Sequence, residues 1–337
     1  MVAMAEGFGE RYHTPVLVGE VLQCFAHVPA GWIADVTLGG GGHSEALLES
    51  RDDLRVIGID RDPEAVAAAR RRLGRFEDRL RLVHARFSEL SNVVKRTLPD
   101  TSVEPPTLSG VLADLGVSSH HFDTPERGFS LRSHGELDMR MDQTSQDLTA
   151  GEIINTYDES MLVAMLRNSG EARLARRFAR AILAARPIRY TDELASIIES
   201  ATPAPARRGR IHPATRVFQA LRLEANQEEA ELETLLHAAV QVTGVGGVIA
   251  VISYHSGEDS FVKRFFRNLS QVECHCPREL PCVGHPEPIA ELLFRGSVSP
   301  GAEEIASNVR SRSARMRALR IRRNESKIEP NPTAEGV

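Results

Sequence analysis

The 337-residue sequence lacks a long apolar run. Its longest uninterrupted apolar stretch, residues 244–252, is far shorter than the roughly 20 residues that a helix needs to cross a bilayer, so no membrane span is expected. The opening residues 1–15 include Glu6, Glu10 and Arg11 and offer no apolar segment of the kind a secretory signal needs. The sequence therefore predicts a cytoplasmic protein without a membrane partner.

Cysteine is also scarce, and four residues are too few for a disulfide scaffold in a chain of this length. Cys24 stands alone, whereas Cys274, Cys276 and Cys282 lie with His285 in "CHCPRELPCVGH". Four soft ligands can form a closed tetrahedral zinc site. The Cys-x-Cys spacing is not the usual one for such sites, and a plain loop is the alternative. A structural zinc ion on these three cysteines and the histidine is a hypothesis.

Lysine is nearly absent, because only three of the 41 basic residues are lysines and the rest are arginines. The arginines gather at 171–189, 207–216 and 310–323, although the net charge of the chain is −5. Arginine pairs bidentately with phosphate and stacks on bases, so local basic patches on an acidic protein are compatible with RNA binding at one face. Solvated arginines on ordinary helices are the alternative.

Short apolar runs alternate with helical patterns through the first third of the chain, which is typical of βαβ units and a parallel sheet. The predicted strands of this part are 32–36, 55–60, 80–85 and 108–116. A helical region without a convincing strand follows. The α/β pattern then resumes with a helix over 214–242, a strand over 246–256 and two further apolar stretches, 289–294 and 316–321, the last of which could be antiparallel.

These patterns predict a discontinuous α/β domain with an insertion. Residues 1–129 and 213–325 form the α/β domain, residues 130–212 form an inserted helical domain that recognises the substrate, and residues 326–337 form a disordered polar tail.

Four consecutive glycines follow the first predicted strand in "GWIADVTLGGGGHSEALL". A glycine-rich turn between a strand and a helix lets a ligand approach the backbone and the helix N-terminus. Asp60, which ends the next strand, lies 20 positions after Gly40, the interval typical of a carboxylate that bonds ribose hydroxyls. Asp35 could meet the amino group of an amino-acid-bearing cofactor but would repel a pyrophosphate, which favours S-adenosylmethionine over NAD. Capping of the turn is the alternative role for Asp35.

Eight stretches, in chain order, resemble the motifs of the bacterial small-subunit ribosomal RNA (cytosine-N4)-methyltransferases, the family called MraW or RsmH. The resemblance covers residues 13–323. The stretches are HTPVLVGEVL (13–22), DVTLGGGGHS (35–44), GIDRDPEA (58–65), ARFSEL (85–90), LADLGVSS (112–119), ERGFSLRSHGELDMRMD (126–142), HPATRVFQALRLEAN (212–226) and VISYHSGED (251–259).

The resemblance implies a class I S-adenosylmethionine-dependent methyltransferase fold (Rossmann-like) with a helical domain inserted after the fourth strand. It implies S-adenosylmethionine as the methyl donor, S-adenosylhomocysteine as the product and one cytidine of the decoding region of 16S ribosomal RNA as the acceptor. The implied partner is this RNA. A long helical insertion with basic edges favours the assembled or nearly assembled 30S subunit as its form, and naked RNA is the alternative. A homodimer is left open.

The resemblance also assigns the cofactor site. Gly41, Gly42 and His43 would line the cofactor, with Asp60 on the ribose and Phe87 against the adenine. The full predicted set is Asp35, Gly40, Gly41, Gly42, His43, Asp60, Phe87, Asp114 and His121. The chain departs from the family pattern at His121, where a glutamine is common, and in "HSGEDS", where "HSLEDR" is expected.

Four residues are candidates for the chemistry itself. Asp114 ends the fourth strand and is a reasonable hydrogen-bond acceptor for the amine of cytosine, although it could contact only the cofactor. Asp138 and Arg140 suit gripping a base and its phosphate, with a salt-bridged helix start as the alternative. His255, just beyond the fifth strand, could bond the base or accept a proton, and a structural histidine is the alternative.

Three other functions remain as alternatives. An NAD-dependent oxidoreductase would use the same fold, and a ribosome-assembly factor could retain the fold without the reaction. A methyltransferase could also act on another RNA, on DNA or on protein. The DNA amino-methyltransferases typically carry an Asn/Asp-Pro-Pro-aromatic motif, where this chain has "ADLGVSS".

Overall fold

The chain forms two compact units. The first, here called the helical unit, comprises residues 1–13, 61–63 and 117–231, and the second, the sheet unit, comprises residues 14–60, 64–116 and 232–337. The computed structural model describes residues 15–98, 107–116, 124–131, 133–144, 148–207, 212–271 and 287–323. The predicted insertion at 130–212 falls inside the helical unit, whose bounds are wider on both sides. The predicted tail at 326–337 lies outside the described residues.

The sheet unit is built on a seven-stranded sheet of order β3-β2-β1-β4-β5-β7-β6. Its strands are β1 (Gly31–Asp35), β2 (Leu54–Asp60), β3 (Leu80–His84), β4 (Leu108–Asp114), β5 (Thr243–Ser253), β6 (Ala290–Leu292) and β7 (Arg315–Ile321). Strands β1 to β5 are parallel, and β7 pairs antiparallel with both β5 and β6. The predicted reversal of the last strand is therefore confirmed. The carboxyl ends of β1, β2, β4 and β5 meet at one edge, where open α/β sheets bind their ligands.

Alternation along the strands gives the sheet two buried faces, because successive side chains of a strand point to opposite sides. Ile33 and Val56 pack with Phe25 on one face, whereas Ala34 and Ile57 belong to the core on the other. The first face is covered by α1 and α2 and the second by α4, α11 and α12, whose bounds follow. Burial on both faces explains why these strands read as continuous apolar runs.

The described residues contain thirteen α-helices. They are α1 (Val18–Phe25), α2 (Gly42–Ser50), α3 (Pro63–Leu73), α4 (Leu90–Thr97), α5 (Ala150–Thr156), α6 (Glu159–Asn168), α7 (Ala175–Ala185), α8 (Thr191–Ala201), α9 (Ala204–Arg207), α10 (Thr215–Asn226), α11 (Glu228–Val242), α12 (Ser256–Ser270) and α13 (Ala302–Ser307). No helix among the described residues is both long enough and apolar enough to span a membrane.

The single helix predicted over 214–242 is wrong, since α10 and α11 are separate helices. Gln227 ends α10 in the left-handed conformation, with φ 52°, and its backbone N–H bonds to the carbonyls of Leu223 and Glu224. The break carries neither glycine nor proline, the usual signals of a helix end. Three glutamates in the first turn of α11 favour a new start there, because carboxylates stabilise the positive end of a helix dipole.

The helical unit has a core of its own. Buried side chains of α5, α6, α7, α8 and α10 form one apolar cluster, which includes Phe178 and Ile182 of α7. A capping box begins α5, since the Glu152 N–H donates to Thr149 Oγ1 at 3.0 Å and the Thr149 N–H donates to Glu152 Oε2 at 2.8 Å.

Candidate active site

The glycine turn connects β1 to α2 at the carboxyl edge of the sheet. Gly39 and Gly41 have φ values of 50° and 80°, in the left-handed region that side chains disfavour. A Cβ atom on Gly41 would also lie 2.9 Å from Leu73 Cδ1. Gly41 is the N-cap of α2, so the turn presents bare backbone next to a helix N-terminus. Glycine is therefore required here by conformation and by packing, and this leaves the turn without side chains that would cover its backbone.

Asp60 lies against this turn. Its Oδ2 atom accepts a hydrogen bond from the Gly39 N–H at 2.7 Å. The interval between the glycines and Asp60 in the sequence thus corresponds to a contact in space. Because β1 and β2 pair in parallel, the end of β2 lies beside the turn that follows β1. Phe87 is half-buried and begins a short 3₁₀ helix, Phe87–Glu89, just after β3. A carboxylate, an aromatic ring and bare backbone at one sheet edge are the groups that a nucleoside cofactor needs.

Asp35 is almost fully buried under the turn, with 1% of its surface exposed. Its Oδ2 accepts from Ser44 Oγ at 2.7 Å and its Oδ1 accepts from the Thr37 N–H at 3.4 Å. Burial raises the pKa of Asp35 above its usual value, while the neighbouring His43 and the bond from Ser44 act against this shift. The contacts of Asp35 are thus those of a residue that ties the turn to α2, which is one of the two roles open from the sequence.

Asp114 ends β4 beside β1, and three groups hold it. The Tyr254 hydroxyl donates to Asp114 Oδ1 at 2.9 Å, and the Asp114 N–H donates to Thr37 Oγ1 at 2.6 Å. On the other side, His43 Nδ1 lies 3.8 Å from Asp114 Oδ2. His43 Nε2 donates to the Val16 carbonyl at 2.8 Å, which fixes the orientation of the imidazole ring. The structure thus brings together the predicted residues Asp114 and His43.

Tyr254 is a site residue that the sequence did not single out. It follows β5 directly, and burial, followed by the charge of Asp114, raises its pKa far above that of a free tyrosine. Tyr254 therefore stays a hydroxyl donor toward the carboxylate. Its position after a strand of the parallel sheet, one residue before His255, was the available signal.

His255 is the N-cap of α12. Its Nδ1 accepts from the Glu258 N–H at 3.4 Å, and its Nε2 lies 2.9 Å from Glu258 Oε1. Both ring nitrogens therefore face groups of the same helical turn. These contacts fit the structural alternative for His255, and its catalytic role stays a prediction.

Asp138 and Arg140 belong to the helical unit and form a bidentate ion pair. Arg140 Nε donates to Asp138 Oδ1, and Nη2 donates to Oδ2, both at 2.8 Å. Burial alone would raise the pKa of Asp138, but the hydrogen bonds and charge of Arg140 outweigh it and lower that pKa. The pair lies in a loop between Pro125–Arg127 and α5 rather than at the start of a helix.

Asn226 holds this loop and is the second residue that the sequence did not single out. Its Nδ2 donates to the Met139 carbonyl at 2.8 Å, and its Oδ1 accepts from the Met141 N–H at 2.9 Å. Met139 between these contacts has φ 58°, a conformation that costs energy for a side-chain-bearing residue. A buried asparagine at the end of an amphipathic helix was the signal, since buried amides need partners.

Five predicted site residues lie outside the described residues. They are His121 and the proposed zinc ligands Cys274, Cys276, Cys282 and His285.

The strand order with its reversed seventh strand, the glycine turn after β1 and the acidic residue at the end of β2 together define the class I S-adenosylmethionine-dependent methyltransferases. The chain belongs to the MraW methylase family, whose model matches residues 10–322. This finding confirms the resemblance seen in the sequence.

Several curated relatives share the name ribosomal RNA small subunit methyltransferase H. The protein of Nostoc punctiforme is 43% identical over 305 residues, which cover 90% of this chain and 92% of the relative. The protein of Dehalococcoides mccartyi is 44% identical over 310 residues, or 91% of this chain and 86% of the relative. The protein of a Nocardioides species is 44% identical over 315 residues, or 91% and 96% of the two chains.

Proposed function

We propose that this protein transfers a methyl group from S-adenosylmethionine to the exocyclic N4 amine of a cytidine in the decoding region of 16S ribosomal RNA. The family and the name of its relatives support an RNA of the small subunit as substrate. The observation that carries the proposal is the Asp114 carboxylate, held between Tyr254 and His43 beside the glycine turn. It offers an acceptor for an amine at the edge where the methyl donor would bind.

The residues around the turn suit the cofactor. Gly40, Gly41, Gly42 and His43 are proposed to line it, with Asp60 accepting hydrogen bonds from the ribose hydroxyls and Phe87 against the adenine. When bound, S-adenosylmethionine supplies an electrophilic methyl group on a sulfonium sulfur. Asp35 is proposed to act beneath this site by fixing the turn through Ser44 and Thr37.

Asp114 is proposed to orient the amine. The amine of cytosine is a poor nucleophile because its lone pair is delocalised into the ring, so alignment supplies most of the rate enhancement. A carboxylate that accepts a hydrogen bond from the amine stabilises the positive charge that develops during transfer. The proton then leaves to Asp114 or to water, and His255 is a second candidate for receiving it.

Asp138 and Arg140 are proposed to grip the target nucleotide. Their bidentate pairing sets both side chains in one orientation, and Asn226 fixes the backbone that carries them. A base inside a structured RNA must be splayed out to reach the donor. We further propose that the substrate is the 30S subunit, assembled or nearly so, in the cytoplasm, and that the protein could act as a homodimer.

The test is transfer of labelled methyl groups to 30S subunits from cells lacking this protein, followed by mass mapping of the nucleosides. The wild type should produce N4-methylated cytidine at one position. D114N should lower the rate at least 100-fold, in the range by which general acid–base groups contribute. D78N makes the same chemical change on an exposed residue and should have no effect. Absence of labelled cytidine with the wild-type protein would refute the proposal.

A further inference from the structure

We propose that Arg295, Arg312 and Arg315 form a phosphate-binding surface of the sheet unit that holds the backbone of the RNA substrate. This inference rests on the proposed function, because it names the surface by which that substrate is bound. The three residues are here called the edge arginines. All three are exposed.

The strand pairing places the edge arginines at the carboxyl edge of the sheet. Arg315 begins β7 and pairs with Ser253 at the end of β5, and the neighbouring residue Ile252 pairs with Asp114. Arg312 lies in the 3₁₀ helix Val309–Ser313, directly before β7.

Arg295 approaches the same end of β7 from the other side. It lies in the segment between β6 and Val298, and Val298 forms a β-bridge with Met316, the second residue of β7. The edge arginines thus come from two chain segments that meet at the end of the sheet where Asp114 lies.

Ion pairs separate the edge arginines from Arg317 and Arg320 of β7 and from Arg322, which directly follows it. Arg317 bonds to Asp259 at 2.8 Å, and Arg320 and Arg322 both bond to Glu291. By contrast, no carboxylate within the described part of the chain forms an ion pair with an edge arginine. Among the described residues, carboxylates therefore neutralise Arg317, Arg320 and Arg322, whereas none pairs with an edge arginine.

The acidic residues nearest in the chain do not supply the missing partners. Glu304 in α13 accepts a hydrogen bond from the Leu17 N–H at 2.8 Å, and Glu303 beside it is exposed. Val309, three residues before Arg312 in the chain, is 72% exposed, so exposed apolar area lies close to the exposed guanidinium groups in sequence. Such groups bind phosphate bidentately and contact nucleotides through their planes. This chemistry fits a nucleic-acid backbone beside the transfer site.

Binding of RNA at different salt concentrations tests the proposal without any turnover. Each phosphate contact releases counterions, so log K falls with log[salt] in proportion to the number of contacts. The double variant R312Q/R315Q removes two phosphate contacts, so it should weaken binding of a decoding-region RNA about tenfold and make the salt slope about 1.5 units shallower. Its affinity for S-adenosylhomocysteine and its unfolding temperature should equal those of the wild type.

R70Q/R71Q is the matched control, since Arg70 and Arg71 are exposed on α3 and have no ion pair with another described residue. It removes the same charge and should leave the slope unchanged. An unchanged slope in R312Q/R315Q, or an equal change in both variants, would overturn the proposal. The proposed function fails separately, if the wild-type protein binds this RNA but methylates no cytidine in it.

Discussion

Replacing Tyr254 by phenylalanine tests whether Asp114 works as a held acceptor. The change removes one hydroxyl, which donates to Asp114 Oδ1 at 2.9 Å, and it keeps the ring that packs against the core of the sheet unit. A hydrogen bond to a charged group contributes roughly 1.5–3 kcal/mol. If the bond is needed in the transition state, its loss lowers kcat by about 10- to 100-fold, since each 1.36 kcal/mol changes a rate tenfold.

Steady-state kinetics with 30S subunits and S-adenosylmethionine measure this effect. Tyr254 is a positioning residue, so kcat of Y254F should fall while KM for both substrates stays within about twofold. Y157F is the matched control, because the Tyr157 hydroxyl donates to Glu224 at the same 2.9 Å in the helical unit. It removes an equivalent bond without touching Asp114. A kcat for Y254F within twofold of wild type, or an equal fall in Y157F, would refute the reasoning.

Three further changes probe the turn and the loop. Burial raises the folded-state pKa of Asp35, so the native protein binds this proton more tightly than the unfolded chain and loses stability as pH rises above 3.8. In urea unfolding from pH 4 to 7, the free energy of unfolding of D35N should therefore rise relative to that of the wild type. A difference between the two proteins that does not change with pH would contradict this. G41A should cost about 1–3 kcal/mol of unfolding free energy, because φ is 80° and Leu73 lies against the new methyl group, and an unchanged denaturation midpoint would count against it. N226A should abolish methyl transfer but leave the affinity for S-adenosylhomocysteine unchanged in calorimetry, since it loses the side-chain bonds to Met139 and Met141 that hold the Asp138 loop, and full activity would contradict that role.

Local patterns predicted the parts of the site that depend on neighbouring strands. Glycines after β1 and an acid at the end of β2 lie close in sequence, and parallel pairing brings Asp60 to the Gly39 N–H. Apolar runs also located the seven strands of the sheet, and the signal is clearest in central strands such as β4, because burial on both faces makes a strand apolar throughout.

The parts that could not be predicted are contacts between distant segments. Tyr254 reaches Asp114 across 140 positions, and the contact depends on the register of β4 and β5, which no local pattern fixes. The bonds of Asn226 to the Met139 loop also cross more than 80 positions. Gln227 ends α10 in a left-handed conformation that is unusual for glutamine. The apolar pattern continues across this break, and the sequence therefore predicted one helix where there are two.

The three aspartates at the sheet edge have different surroundings, and these surroundings suit each of them to a different role. Asp35 is buried and its pKa is raised, so it is suited to accept neutral hydrogen bonds from Ser44 and Thr37 rather than to face a cation. One carboxylate oxygen of Asp60 accepts a hydrogen bond from the Gly39 N–H, and this bond holds the carboxylate against the turn.

Asp114 is the carboxylate that is proposed to accept a hydrogen bond from the substrate amine. Its carboxylate is contacted by Tyr254, which directly follows β5, and by His43 of α2, while its backbone N–H donates to Thr37 of the turn. A tyrosine hydroxyl that stays protonated can orient this carboxylate without neutralising it, because Tyr254 donates a hydrogen bond and keeps its own proton. Burial, by contrast, raises the pKa of Asp35 and so disfavours its charged form. The same sheet edge can therefore fix the turn with one acid and serve the substrate amine with another.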